Sequence, residues 1–332
     1  MIKYILRRLL LLIPLVFIIS LVIFIIIQLP PGDYLTTYIT QLEMSGITVS
    51  EDVAAALKRQ YGLDQPMYTQ YLIWMKNILT RGDFGRSFGW NKPVSEILAE
   101  RVPLTAVVSL VTTAFVYLVS IPIGIYSATH KYSFVDYLAT FFGFIGLSVP
   151  GFLLALVLMW LLYSKFGIQV SGLFSSEYAG AAWSLAKVWD MLKRLWFPLI
   201  IIGMGGTAGL IRVLRGNLLD ELKKQYVITA RAKGLPERQV ISRYPVRIAL
   251  NPVVSTIGWI LPGIIGGETL TSIVLNLQTT GPALLQAVQT QDMYLAGAIT
   301  LIMSGLTIIG TLIADLLLVY LDPRIRFGQS GK

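Results

Sequence analysis

No cysteine occurs among the 332 residues, which excludes disulfides and thiolate metal sites and leaves the redox compartment unspecified. Histidine is nearly as scarce: His130 stands alone and cannot make a metal site by itself. Charge is thin as well, at 14% of residues, where a soluble domain carries about a quarter. The sequence has no Gly-x-x-x-x-Gly-Lys-Ser/Thr loop to cradle a nucleotide, no His-Glu-x-x-His and no Gly-x-Ser-x-Gly. ATP hydrolysis and the common hydrolase chemistries are therefore not expected on this chain. What it has in quantity is apolar: 55% hydrophobic residues and a mean hydropathy of +0.68. Such a chain would expose too much apolar surface in water. Its length suits about six spans of roughly 20 residues and one sizeable outer segment.

The few charges are distributed unevenly. With the N-terminus inside, segments 1–8, 128–136, 212–247 and 322–332 hold 16 Lys/Arg against 5 Asp/Glu. Segments 30–100, 164–195 and 276–292 hold 10 against 11. A basic excess on one side of a membrane predicts cytoplasmic N- and C-termini, not nucleic-acid binding.

Lys3, Arg7 and Arg8 precede an apolar run from Leu9 to Leu29, a full span with no cleavage-type small residues after it. Residues 33–101 form the long polar segment. Ser50 can cap a helix over Glu51–Gln60, and a second is expected over Pro66–Leu79, with Tyr68, Tyr71, Leu72, Met75 and Ile78 on one face. Asp83-Phe84-Gly85 spells a kinase metal-binding tripeptide, but the Gly-rich loop, lysine strand and catalytic loop of kinases are missing. Further spans are expected at about Pro103–Ala128, Tyr137–Tyr163, Trp196–Val213, Ile248–Leu275 and Met293–Leu321. Proline and glycine inside the second and third (Pro122, Gly124, Gly143, Gly146, Pro150) predict kinks. Ala182–Trp196 reads as an interfacial helix, with Trp183, Ala186, Trp189, Met191 and Leu192 toward lipid and Lys187, Lys193 and Arg194 wet. Gly205-x-x-x-Gly209 and Gly263-x-x-x-Gly267 read as helix-packing faces. A short outer helix is expected over Pro282–Gln289.

The stretch from Tyr226 to Pro252 organises the rest. Helix formers run to Lys233, Gly234 supplies a left-handed stop, and Pro236 sits where a new helix can begin. Leu219, Leu222, Tyr226 and Thr229 fall on one face of the first helix, opposite Lys223, Lys224 and Arg231. The segment Thr229-Ala-Arg-Ala-Lys-Gly-Leu235, with Glu237-Arg238, Arg247 and Asn251-Pro252, resembles the cytoplasmic "EAA" loop of ABC importer permeases, and most closely their oligopeptide/dipeptide-type branch. Ile228-Thr229-Ala230 stands where the general motif has Glu-Ala-Ala, and Tyr244-Pro245-Val246-Arg247 where it closes. The basic first segment and the Pro31-Gly32-Asp33 after the first span resemble the same branch.

The resemblance implies an all-α membrane protein of type I ABC importer permease architecture in a bacterial or archaeal cell membrane. It divides the chain into a basic segment and first span (1–32), an extracytoplasmic helical segment (33–101), a five-helix core (102–321) holding a coupling loop at 216–247, and a cytoplasmic tail (322–332). It also implies that Tyr226, Thr229, Ala230, Arg231, Ala232, Lys233, Gly234, Leu235, Glu237 and Arg238 dock on an ATPase. The partners it implies are a second homologous permease, two ATP-binding subunits or domains, an extracytoplasmic solute-binding protein and membrane lipid. ATP and Mg would belong to those partners, and this chain would bind no cofactor.

Only Glu268 and Asp315 lie well inside apolar runs. Intramembrane carboxylates are costly and face a cavity, a partner or the membrane edge. Trp259, Pro262, Gly263 and Glu268 on the fifth span are expected at the translocation path and outer gate, and Asp315 in pairing with inner-side arginines. The nearly charge-free spans suit an oligopeptide or an oligosaccharide equally. A self-contained secondary transporter or channel is the alternative, and it would need inverted repeats or paired broken helices.

Overall fold

The computed structural model describes residues 2–29, 65–87, 89–257 and 269–321. The expected helix at Glu51–Gln60, the Gly263/Gly267 face and the 322–332 tail fall outside these residues. The chain divides into two compact units, residues 1–104 with 279–308, and residues 105–278 with 309–332.

The first unit begins with helix α1 (Ile2–Gln28), followed by α2 (Met67–Arg81). The expected apolar face of α2 is corrected in detail: Tyr71 and Trp74 are its buried residues, while Tyr68 and Leu72 are exposed. Tyr71 and Trp74 close on Phe24 of α1, and the Tyr71 hydroxyl shares a buried 2.8 Å hydrogen bond with Ser20. Asp83-Phe84-Gly85 is a connector, leading into a two-strand hairpin, β1 (Arg86–Ser87) and β2 (Lys92–Pro93), that no sequence pattern announced. Gly85 has φ +96°, and a Cβ there would fall 2.8 Å from the Tyr294 ring, so only glycine fits.

Helix α3 (Val94–Thr129) follows; its first turns join α11 (Thr280–Gln289) and the start of α12 (Met293–Leu321) in a core of Val94, Ile97, Leu98, Ala287, Leu295 and Ile299. Asp292 is buried at the start of α12. It accepts hydrogen bonds from the Ser87 hydroxyl at 2.5 Å and from the Leu295 amide at 3.2 Å, so one carboxylate caps the helix and pins the hairpin. Arg101 donates to the Thr279 carbonyl at 3.1 Å and lies over the Trp90 ring.

In the second unit the expected third span is two helices, α4 (Phe134–Ser148) and α5 (Gly151–Phe166), bent by 112°. Pro150 cannot donate to the helix and forces Val149 into extended conformation (φ −97°, ψ 125°), which breaks the run. The interfacial helix and fourth span, expected as separate elements, are one 37-residue helix, α6 (Leu185–Glu221), which continues through Pro198. At 1.5 Å per residue it is about 55 Å long, well beyond a hydrocarbon core of about 30 Å. Trp183 and Trp189 are exposed as expected, but Met191 and Lys187 are buried. Lys187 donates to the Ala181 carbonyl at 2.6 Å and sits over Phe174 and Trp183, so its charge is satisfied by dipoles and not by water.

Helices α9 (Pro245–Ser255) and α10 (Thr269–Val274) carry the two described ends of the expected fifth span. Leu210, Leu214 and Leu218 of α6 pack with Ala249 and Val253 of α9 and with Val116 of α3. Small residues set the close approaches, though not in the expected stripe. Gly203 and Gly206 face Val116, Gly205 lies against the Gly146 carbonyl, and Gly209 faces open space. Among the described residues three helices are long and apolar enough to cross a membrane, or four with α4 and α5 taken as one span.

Candidate functional site

Between α6 and α9 the chain makes two short helices, α7 (Gln225–Ala232) and α8 (Glu237–Arg243), around Gly234. The helix expected to run through Leu219, Leu222, Tyr226 and Thr229 is broken: α6 ends at Glu221 and Lys224 is extended (φ −71°, ψ 150°) before α7. That break splits the expected face. Leu219 and Leu222 join the α6–α9 core, Tyr226 joins the loop's own core, and Thr229 is exposed, donating to the Gln225 carbonyl.

The loop has its own small core. Val227 and Ala230, three residues apart on α7, meet Val240 of α8, with Tyr226 and Leu235 along the edge. Gly234 takes φ +74° and donates its amide to the Arg231 carbonyl at 2.9 Å, turning the chain between the helices. Arg231 grips Glu237 across that turn with two hydrogen bonds of 3.1 and 2.6 Å. This hydrogen bond holds the Glu237 carboxyl below the usual range and raises the Arg231 guanidinium. The pair is solvent-exposed, so it orients the helices more than it stabilises them. The Tyr226 hydroxyl donates to Glu221, and its ring lies 6.5 Å from that of Tyr244. Burial, then the bond to Glu221, pushes the Tyr226 phenol well above its ordinary value.

Ala230 and Leu235 therefore serve the loop's interior. The outer face carries Ile228, Thr229, Arg231, Ala232, Lys233, Gly234, Glu237 and Arg238. Ile228 is 48% exposed, with Ala232 one turn on, an apolar spot in an otherwise polar loop. Trp259, Pro262, Gly263 and Glu268 lie outside the described residues, so the geometry bears on the loop alone. Asp315 lies on α12, within the membrane-type helix.

Sequence reasoning missed one clamp beside the loop. Asp136 of α4 receives two hydrogen bonds from Arg215 of α6, at 2.8 and 2.9 Å, and a third from the Tyr132 amide at 3.0 Å. Its side chain is only 4% exposed. The bond to Arg215 outweighs burial and lowers the Asp136 carboxyl, while Arg215 is raised in return. The readable signal was Ser133-x-x-Asp136, a helix-start pattern, in which the Ser133 hydroxyl caps the Asp136 amide. A polar recess of about 300 Å³, lined by Gln169, Ser171, Ser175, Arg194, Asn276 and Gln278, was also unforeseen.

Comparison with known proteins bears on this arrangement. The model of the binding-protein-dependent transport system inner membrane component family matches residues 120–327, and the model of the N-terminal part of that system's membrane component matches residues 1–110. The oligopeptide transport system permease protein AppB of Bacillus subtilis (strain 168) is 34% identical over 331 residues, covering 98% of this chain and 100% of AppB. The dipeptide transport system permease protein DppB of Alkalihalophilus pseudofirmus is 30% identical over 341 residues, with 98% and 100% covered. The oligopeptide permease protein OppB of Haemophilus influenzae is 29% identical over 330 residues, again with 98% and 100% covered. With both family models and these relatives matched along nearly all of it, the chain belongs to the binding-protein-dependent transport system inner membrane component family, as an ABC importer permease of the oligopeptide/dipeptide type.

Proposed function

We propose that this chain is the transmembrane permease subunit of an ATP-driven importer that passes short peptides across the cell membrane by alternating access. One observation carries the coupling role: a two-helix loop with its own core, an apolar spot at Ile228 and Ala232, and direct continuity with α6 and α9. Closure of an ATPase against that spot would move α6 and α9 together. The names of the relatives favour a peptide over an oligosaccharide as the solute. The expected topology completes the reading, with six spans and both termini on the cytoplasmic side with the loop. A second permease, two ATP-binding subunits that use ATP and Mg, and an extracytoplasmic binding protein are the partners. Trp259, Pro262, Gly263 and Glu268 are assigned to the path and outer gate.

The test is Ile228→Asp, which puts a charge where the apolar contact is proposed. It should release the ATPase from the chain during affinity purification and abolish peptide-stimulated hydrolysis, while the chain still reaches the membrane in normal amount. Full recovery of ATPase and full activity would remove the loop from the coupling role.

A further inference from the structure

The seam between α4 and α6 leaves an open groove of about 170 Å³. The two helices run antiparallel along it: Asp136 meets Arg215, a Cβ on Gly143 would reach Ala208 at 3.7 Å, and Gly146 abuts Met204. Ala139, Gly143 and Ala208 make its floor, and Phe144, Leu147 and Ile211 make its apolar walls. Phe141, Phe142 and Phe144 all turn outward from α4, a surface suited to hydrocarbon. At the end nearest the coupling loop the lining changes to Arg212 and Arg215.

The two guanidiniums differ in state. Arg215 is committed to Asp136. Arg212 is exposed, and among the described residues no ion pair engages it. From Ala208 to Arg215 the helix rises roughly 10 Å, the length of several methylenes. An apolar channel that ends in one uncompensated cation, where a membrane helix passes into a polar loop, matches the chemistry of a lipid with an anionic head. We propose that the α4–α6 groove binds an anionic phospholipid of the leaflet on the coupling-loop side, its phosphate on Arg212 and an acyl chain along Gly143 and Ala208. The site rests on the chain's place in a membrane and not on what it transports. Its occupant would bear on α6 two turns before the coupling loop.

The full-length chain, purified in mild detergent with whatever subunits accompany it, is mixed with equal amounts of dioleoylphosphatidylglycerol and dioleoylphosphatidylcholine and weighed by native mass spectrometry. Phosphatidylglycerol adducts should lead by about fivefold, the worth of one basic side chain beside an anionic surface. Arg212→Gln should bring the ratio to one, Ala139→Phe should lower adducts of both lipids by filling the floor, and Lys76→Gln, the same charge lost from α2, should change nothing. Inorganic phosphate at the lipid concentration should not displace the adduct. Equal binding of the two lipids to the unaltered chain, a preference that survives Arg212→Gln, or displacement by phosphate would each overturn the proposal. So would Phe144→Cys, in this cysteine-free chain, if that thiol cross-linked in high yield to an accompanying permease and not to a photoreactive phosphatidylglycerol.

Discussion

Gly234 offers a quantitative probe of the loop because two effects of substitution are separated there. Its φ of +74° is a region that residues with a Cβ seldom enter, yet a Cβ built on it would find nothing within 4 Å. Substitution therefore carries backbone strain and no clash inside the chain. The strain is about 1–2 kcal/mol for alanine and up to about 3 kcal/mol for valine, with asparagine lowest because it tolerates left-handed geometry. At about 1.4 kcal/mol per factor of ten, valine should cut the population of the correctly turned loop by roughly 100-fold, alanine by roughly 10-fold and asparagine less. Co-purified ATPase and peptide-stimulated hydrolysis, measured on Gly234→Asn, Gly234→Ala and Gly234→Val in parallel, should fall in that order. Size and strain rank differently here. If asparagine were worse than alanine, the side chain would be striking a docked partner and the strain argument would fail. Wild-type behaviour from valine would refute both the strain and the coupling assignment.

The Asp136–Arg215 clamp should show a pH signature. Because the folded carboxyl titrates below its ordinary value of 3.8, its contribution is present above that value and is lost as pH falls through the lower folded one. Asp136→Asn should lower stability by about 3 kcal/mol near neutral pH and should lack the acid-side loss, as read from thermal unfolding midpoints in detergent between pH 3 and pH 7. Ala230→Glu places a charge under Val240 and not on the docking face, so it should open the loop itself. Limited proteolysis at 225–243 should then accelerate about tenfold or more, consistent with the cost of a buried unpaired charge, whereas exposed Ile228→Ala should leave that rate unchanged.

The sequence displayed the membrane class through apolar abundance and scarce charge, and the two-helix loop through Gly234 and Pro236, because those signals are local. The same locality marked α2, α11 and the start of α12 within a few residues. What stayed hidden depends on tertiary partners. Ala230 looks like any small helical residue until Val240 arrives over it. Lys187 looks like a wet lysine until the Ala181 carbonyl and two aromatic rings enclose it. Asp136 and Arg215 are 79 residues apart, and no periodicity connects them. The hairpin of four residues is too short to show alternation, and Asp292, which Ser87 bonds, is 205 residues further along the chain. Pro150 marked a kink, but proline alone does not state an angle, and the break bends the chain by more than a right angle. Pro198, of the same residue type, sits within an unbroken helix.

That unbroken helix has a mechanical consequence. The one backbone donor α6 is certain to lack is that of Pro198, so a displacement applied at Glu221 is carried along the helix as far as that proline before it meets a place that can flex. Among the described residues, extended breaks next to this helix and its neighbours lie at Val149 and Lys224. A rearrangement started at the loop would thus shift the Pro198–Glu221 part of α6 and bear on the Val149–Pro150 elbow, whose two arms both pack against that helix.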